Sequence, residues 1–156
     1  MRQRILPFGL GCYLGVVVAL TLLKAFFRIG ELWVPANQRV RQVRWIPLDE
    51  LFRGSWFKPV FEYGGNLLLF VPLGILMFLL LRSEAKAIAW CVGLSALIEA
   101  SQFLFSLGRT DIDDILFNGL GATLGAAIAR RAGPRWDSIF LAMPFIAFAA
   151  FVALLF

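Results

Sequence analysis

The sequence lacks histidine altogether and is poor in charged residues. Among its 156 residues, Asp, Glu, Lys and Arg together account for 16%, whereas soluble proteins average roughly 25%. The absence of histidine excludes His-dependent catalytic triads, histidine metal sites and histidine proton relays. Cysteine is also scarce: Cys12 and Cys91 lie within apolar runs and lack metal-ligand spacing, so we interpret them as small buried hydrophobic residues.

Apolar residues dominate instead. Hydrophobic residues make up 60% of the chain, more than a soluble domain of this size could bury, so we interpret the protein as an integral membrane protein. The net charge of +5 does not indicate nucleic-acid binding, because the basic residues are dispersed at the ends of apolar runs. There they would lie near anionic lipid headgroups. The expected partner is therefore the lipid bilayer.

Long apolar runs predict an all-α, polytopic membrane bundle of about five transmembrane helices in a single domain, residues 1–156. The first run is too long for a signal peptide and lacks a clear cleavage site, so we expect an uncleaved first helix. Polar segments separate each run from the next. The predicted spans are residues 5–27, 64–81, 87–107, 112–129 and 138–156.

A longer polar segment between the first and second spans is expected to lie in the membrane interface. Arginines alternate there with Val40 and Val43, which is compatible with a short interfacial helix that ends at Pro47. We expect either a loop anchored by aromatic residues at the headgroup level or a basic surface that contacts an anionic headgroup. The residues concerned are Trp33, Arg39, Arg41, Arg44, Trp45, Trp56 and Phe57.

Polar residues are concentrated in one stretch, Ile98 to Gly125. A charged side chain at mid-bilayer costs roughly 2.5–3.5 kcal/mol on insertion scales, so this cluster needs a structural or a functional reason. On the fourth span, helical spacing places Asp114 and Asn118 on one stripe with Gly121 and Gly125, whose small size permits close helix packing. Thr110 to Asp113 resembles a capping box. The cluster comprises Glu99, Gln102, Arg109, Asp111, Asp113, Asp114 and Asn118.

Apart from Lys24, which lies in the first span, the basic residues divide evenly between the two membrane sides, seven on each, so loop length decides the predicted orientation. Short turns carry the stronger topological signal, and those holding Arg82 with Lys86 and Arg130 with Arg131 fall on the side of the N-terminus. We therefore predict a cytoplasmic N-terminus and an outside C-terminus. Five alternating helices then bring the polar cluster, together with Asn66 of the second span, to the outer membrane face.

Several motifs stand in a fixed order between Arg44 and Gly125. NLLLFVPLG begins at Asn66, E-x-x-Q begins at Glu99, GRTDIDDILFN-x-x-G-x-x-x-G follows, and an earlier Ile-Pro-Leu looks like an I-P-F element. Together they resemble the VanZ-like membrane protein family, whose namesake is associated with bacterial resistance to the glycopeptide teicoplanin. The resemblance implies a multi-helix protein of the bacterial cytoplasmic membrane, without an established reaction. The residues carried over are Asn66, Glu99, Gln102, Arg109, Asp114 and Asn118.

The cluster has a structural interpretation that needs no ligand, in which its members stabilise one another. Hydrogen bonds between membrane helices contribute on average about 0.6 kcal/mol each, which scarcely offsets the cost of charges at that depth. The charged members therefore point to a ligand more strongly than the amides do. Under the structural interpretation the pairs would be Glu99 with Arg109, Gln102 with Asn66, and Asp114 with Asn118 or the helix start.

The favoured functional hypothesis is a binding module for an amphiphilic, envelope-related or glycopeptide-like ligand near the outer membrane face. Arg109 would bind phosphate or carboxylate bidentately. Glu99, Gln102 and Asn118 would recognise hydroxyl or amide groups. A lipid-linked envelope precursor or a lipoglycopeptide would fit such a site, and the protein would then affect teicoplanin susceptibility.

Two alternatives remain open. The first is a membrane enzyme that acts on a lipid or envelope-precursor headgroup, with Glu99 or Asp114 as general base. Only under this alternative would Asp111, Asp113 and Asp114 hold Mg²⁺ through oxygen ligands; otherwise we expect no metal and no cofactor. No nucleophile with an adjacent base is visible, so we favour a non-enzymatic role. The second alternative, a transporter, would require oligomerisation because five spans without an internal repeat are few for alternating access.

Overall fold

Helices make up most of the described part of the protein. The computed structural model describes residues 2–22, 41–52, 54 and 56–155. The described residues also contain two short strands and two single-turn 3₁₀ segments, Asp49–Phe52 and Pro134–Trp136. In chain order the elements are α1 (Arg2–Thr21), β1 (Arg41–Arg44), α2 (Phe57–Leu81), α3 (Glu84–Phe105), β2 (Gly108–Asp111), α4 (Ile112–Ala132) and α5 (Asp137–Leu155).

Four helices in the described residues, α2 to α5, are long and apolar enough to cross a membrane. The apolar part of α1, Ile5–Thr21, is shorter, and residues 23–27 of the first predicted span lie outside the described residues. All of α1 measures about 30 Å at 1.5 Å per residue, close to the thickness of a bilayer's hydrocarbon core. The predicted all-α membrane bundle is confirmed, although α2 begins at Phe57 rather than near residue 64.

Side-chain caps set the starts of α3 and α4. The Ser83 hydroxyl accepts a hydrogen bond from the backbone N–H of Lys86 at 3.4 Å. The Asp111 carboxylate accepts one from the backbone N–H of Asp113 at 3.0 Å, and its charge suits the positive end of the α4 dipole. The predicted capping box at Thr110 is therefore wrong by one residue, because the Thr110 hydroxyl donates to α3 instead.

Helices α2 and α4 pack backbone against backbone. The small residues predicted on one stripe of α4 serve this contact, because only a residue without a side chain permits so close an approach. By contrast, a Cβ atom added at Gly11 or Gly15 would meet no described atom within 4 Å. At three other glycines an added Cβ atom would overlap a carbonyl oxygen of the facing helix: Gly74 with Ala122, Gly121 with Leu67, and Gly125 with Val71.

The segment before α2 contains a strand rather than the expected interfacial helix. β1 pairs in parallel with β2, which places Arg44 opposite Asp111. The three-residue spacing of Val40 and Val43 suits one face of a helix. The strand depends instead on pairing with β2, far along the chain, which explains the error. Trp33, Arg39 and Val40, also part of that prediction, lie outside the described residues. Because β2 connects α3 to α4, the pairing ties the first long connection to the α3–α4 connection.

The strands mark one end of the bundle, here called the strand end, where α1 and α3 finish and α2 and α4 begin. The Gln102 amide joins two of these helices there, donating to the carbonyl of Thr21 at 3.2 Å. The opposite end, the turn end, contains the Arg82–Lys86 turn and the start of α5. Two ion pairs join helices at the turn end: Arg82 with Asp137 at 4.0 Å and Arg130 with Glu84 at 2.9 Å.

Candidate functional site

A buried carboxylate near the end of α3 holds the backbone of β2. Glu99 is 3% exposed, and its Oε2 atom accepts a hydrogen bond from the backbone N–H of Asp111 at 2.9 Å. The hydroxyl of Thr110 donates to the backbone carbonyl of Glu99 at 3.2 Å. Hydrogen bonds at two consecutive residues, one of them to a charged acceptor, fix the position of β2 relative to α3.

A second buried carboxylate, that of Asp113, joins the start of α4 to α2 and to the segment after β1. Both of its oxygens lie 3.0 Å from the backbone nitrogen of Leu48, which donates to them, and the Tyr63 hydroxyl donates to Oδ2 at 2.7 Å. Asp113 is 1% exposed, so these bonds replace its lost hydration. Leu48 has a φ of +61°, which non-glycine residues rarely adopt. Asp113 therefore holds the segment after β1 in a defined position.

Arg44 and Asp111 face each other across the paired strands. The Arg44 guanidinium lies 3.5 Å from the Asp111 carboxylate and also pairs with Glu50. Burial raises the pKa of Asp111 above its ordinary value, while the hydrogen bond from the Asp113 N–H and the charge of Arg44 oppose that rise. The net shift is upward because burial is the largest cause. Arg44 is thus paired with carboxylates of the protein itself.

Amide side chains link the helices near the strand end. Asn66 of α2 donates to the Asp114 carboxylate of α4. One turn further along α4, Asn118 donates to the Ser95 hydroxyl of α3 at 2.8 Å. The side-chain oxygens of Asn118 and Gln102 are buried and accept no hydrogen bond from the described residues. Asn118 and Gln102 thus each join two helices through the amide nitrogen and leave the amide oxygen without a donor among the described residues.

Arg109 stands apart from these buried contacts. Its side chain is exposed, and it forms no ion pair with any residue in the described ranges. Side chains alternate along a strand, and the neighbouring Thr110 hydroxyl contacts α3, so Arg109 points away from α3. The Arg109 guanidinium is therefore exposed at the strand end. It belongs to a strand whose backbone Glu99 fixes through the Asp111 N–H.

The sequence profile of the VanZ/LLP1 family matches residues 10–140, which include every polar contact described above. The chain belongs to the VanZ/LLP1 family. Together with the apolar helices, membership in this family identifies a multi-pass membrane protein.

Among curated proteins, the chain is similar to Protein VanZ of Enterococcus faecium, with 33% identity over 66 residues. That match covers 41% of this chain and 41% of Protein VanZ, so it spans about two fifths of the length of the relative. No solved structure gives a significant match.

In this VanZ/LLP1 protein the polar residues have other partners than the sequence suggested. The predicted pair of Glu99 with Arg109 does not form, because β2 turns the guanidinium outward and offers a backbone N–H to the carboxylate. Pairing by charge and helix face took no account of backbone groups or of the short strands. The observed partners are the Asp111 N–H for Glu99, the Thr21 carbonyl for Gln102, Asp114 for Asn66, and Ser95 for Asn118.

Sequence reasoning considered Asp113 only as part of a capping box or of an acidic cluster, and it did not single out Ser95 or Tyr63. One sequence signal pointed to Asp113: it is an acid in the first turn of α4, directly after the polar segment that connects α3 to α4. Its target, a backbone N–H more than sixty residues earlier, has no sequence signature. The structure thus adds a buried interhelical contact to the residues that the motifs indicated.

The three acids at the start of α4 do not share one site. No group of three or more potential metal-ligating side chains occurs in the described part of this VanZ/LLP1 chain. Each carboxylate instead has its own neighbours: Asp111 the Asp113 N–H and Arg44, Asp113 the Leu48 N–H and Tyr63, and Asp114 the Asn66 amide.

Proposed function

We propose that this VanZ/LLP1 protein binds an amphiphilic, envelope-related or glycopeptide-like ligand at the strand end. The observation that carries the proposal is the contrast between Arg109, exposed and without an ion-pair partner in the described residues, and the buried acids that fix the strand beneath it. A guanidinium held on a fixed backbone can bind phosphate or carboxylate bidentately with little loss of backbone entropy.

Exposed aromatic residues at the strand end favour an amphiphile over a wholly polar ligand. Trp45, Phe52 and Trp56 are 73%, 86% and 67% exposed, and they belong to the connection between β1 and α2. Tryptophan suits the interface between headgroups and hydrocarbon. A ligand anchored in the bilayer would place its polar group at Arg109 while its apolar part stays at the level of these rings.

The buried polar residues have a positioning role in this proposal. Glu99 is 3% exposed and supports β2, so it acts on the ligand through the position of Arg109. Gln102, Asn118 and Asn66 are engaged between helices and stabilise the bundle under the site. In this proposal Arg109 alone contacts the ligand. Glu99, Gln102 and Asn118, which the sequence suggested as direct ligand contacts, support the structure beneath it.

The test is a ligand-dependent thermal shift of the purified protein in nanodiscs. The probes are teicoplanin and a polyprenyl-diphosphate-linked saccharide, which represent the two ligand classes. A ligand at one hundred times its Kd stabilises the native state by about 2.7 kcal/mol, so the wild type should unfold at a higher temperature with at least one probe. Arg109→Ala should abolish the shift, whereas Arg131→Ala, an exposed arginine at the turn end, should retain it. Equal shifts in wild type and Arg109→Ala would reject the proposal.

Cells offer a second readout for teicoplanin. If that glycopeptide is a ligand, expression of the protein should change the teicoplanin concentration that inhibits growth of a susceptible bacterium. The change should disappear with Arg109→Ala and persist with Arg131→Ala at matched membrane levels. If both variants change teicoplanin susceptibility to the same extent, the effect does not depend on Arg109 or the strand end.

We also propose that the protein lies in the bacterial cytoplasmic membrane with the strand end and the C-terminus outside. The short, basic turns at the turn end support this orientation. Single cysteines at the exposed positions Lys58 and Ala85, in a cysteine-free background, would report it. A membrane-impermeant thiol reagent should label Lys58→Cys in intact cells and Ala85→Cys only after permeabilisation; the reverse pattern would overturn the orientation.

A further inference from the structure

An apolar groove runs along the half of the bundle nearer the turn end. It encloses about 620 Å³ between α1, α2 and α3 and reaches neither Arg109 nor the strands. Its walls include Leu14 of α1, Leu73 and Met77 of α2, and Trp90, Gly93 and Leu97 of α3. No residue in the lining is charged, so its occupant within the groove must be apolar.

A cation lies at the turn-end mouth of this groove. Lys86 precedes Trp90, Gly93 and Leu97 by four, seven and eleven residues, so it shares their face of α3. Its side chain is exposed and forms no ion pair within the described residues. By contrast, Arg82 and Arg130 at the same end each have a carboxylate partner. The ammonium of Lys86 is therefore a free positive charge above an apolar channel.

Trp90 adds a hydrogen-bond donor one turn further into the groove. It is 65% exposed, and no acceptor for its indole N–H lies among the described residues. An indole that lines the groove one turn below Lys86 suits the level of the ester groups of a phospholipid. Anion-binding, donor and apolar groups thus follow one another along a single helix face.

From this order of groups we propose that the groove binds one phospholipid with an anionic headgroup, taken from the leaflet at the turn end. The headgroup phosphate would lie at Lys86, the ester region at Trp90 and an acyl chain along Gly93. The lining from Ala89 to Leu97 extends for about 12 Å along α3. The exposed positive charge of Lys86 at the mouth of the groove favours an anionic lipid over a second apolar helix as the occupant.

Two substitutions test the two halves of this site separately. A Cβ atom at Gly93 would meet no described atom within 4 Å, so Gly93→Leu should fill the groove without disturbing the bundle. Its matched control is Ala96→Leu, on an exposed face of the same helix. Lys86→Gln removes the charge at the mouth of the groove. Its matched control is Arg131→Gln, which removes an exposed charge on α4 at the same turn end of the bundle.

The measurement is native mass spectrometry of the detergent-purified chain after titration with phosphatidylglycerol or phosphatidylcholine of identical acyl chains. The wild type should retain one phosphatidylglycerol about fivefold more strongly than phosphatidylcholine, the ratio expected for one basic residue near an anionic headgroup. Lys86→Gln should reduce that ratio to about one, and Gly93→Leu should weaken both lipids about tenfold. Both controls should behave as wild type.

Two results would overturn the proposal. If Gly93→Leu, with unchanged thermal stability, retains phosphatidylglycerol as the wild type does, the groove is not the lipid site. If the wild type is a dimer that Gly93→Leu separates into monomers, a second copy of the chain occupies the groove. The strand-end variants do not enter this experiment, so its failure leaves the proposed ligand site at Arg109 unaffected.

Discussion

The Tyr63 hydroxyl donates a 2.7 Å hydrogen bond to the buried carboxylate of Asp113 and thereby joins the start of α2 to the start of α4. The ring of Tyr63 also stacks on Phe117, with 4.5 Å between ring centroids. The same carboxylate holds the backbone N–H of Leu48. The Asp113 side chain thus connects α2, α4 and the segment that contains Leu48, and it stabilises the strand end through all three.

Substitution of Asp113 should therefore destabilise the protein more than loss of Tyr63's hydroxyl alone. Asp113→Asn turns an N–H group toward donors and should lower the free energy of unfolding by about 2–3 kcal/mol, whereas Tyr63→Phe should lower it by about 1–2 kcal/mol. The double variant should lose less than the sum, because the two residues share one interaction. Denaturant unfolding in detergent checks this, with the exposed Glu62→Gln as a control within about 0.5 kcal/mol of wild type. Strict additivity would contradict the contact.

The close packing of α2 and α4 predicts a sharp difference between two glycines. Gly125→Ala places a Cβ atom against the carbonyl oxygen of Val71, so the helices must separate, at a cost of about 1–3 kcal/mol. Gly64→Ala meets no described atom within 4 Å and should be neutral or stabilising by up to about 1 kcal/mol. Unfolding temperatures in one detergent would compare them, and equal effects would refute the backbone contact.

The sequence predicted the helices well because apolar runs and helical spacing are local signals. It also placed the small residues of α4 on one stripe, although it could not name α2 as the partner. The β1–β2 pair could not be predicted, since it joins Arg44 to Asp111 across more than sixty residues and involves only four residues on each strand. Once that pair is missed, the Glu99–Arg109 contact looks plausible, because only the strand explains why the guanidinium turns away.

The buried carboxyl of Asp111 predicts a pH dependence of stability. Burial raises its pKa in the folded state above the ordinary value of 3.8, so the folded state binds the proton more tightly than the unfolded state. Its contribution to stability is therefore fully present below the unfolded pKa and is lost as the pH rises through the folded pKa. Asp111→Asn, which keeps an oxygen acceptor for the Asp113 N–H, should remove this loss. The stability of the variant relative to wild type should rise with pH above 3.8; a constant difference would contradict the shift.

Two serines of α3 provide a matched pair for the interhelical amide contact. Ser95 is buried and accepts from Asn118 of α4, whereas the exposed Ser101 hydroxyl donates to a carbonyl of its own helix. Ser95→Ala leaves the Asn118 amide without that acceptor and should cost about 1–3 kcal/mol. Ser101→Ala should change the free energy of unfolding by no more than about 0.5 kcal/mol. Similar losses at both positions would argue against the helix-to-helix bond.

The central claim is that Arg109 contacts the ligand while the buried acids position it. The most direct measurement is the equilibrium Kd of the teicoplanin or polyprenyl-diphosphate probe for wild type, Arg109→Lys and Arg109→Ala in nanodiscs, with Arg131→Ala as control. The account predicts that Arg109→Ala weakens binding by about tenfold or more, since charge-assisted hydrogen bonds contribute about 1.5–3 kcal/mol each. Arg109→Lys should lie between alanine and wild type because it keeps the charge and loses the bidentate geometry. Equal affinity of all four proteins would contradict the account.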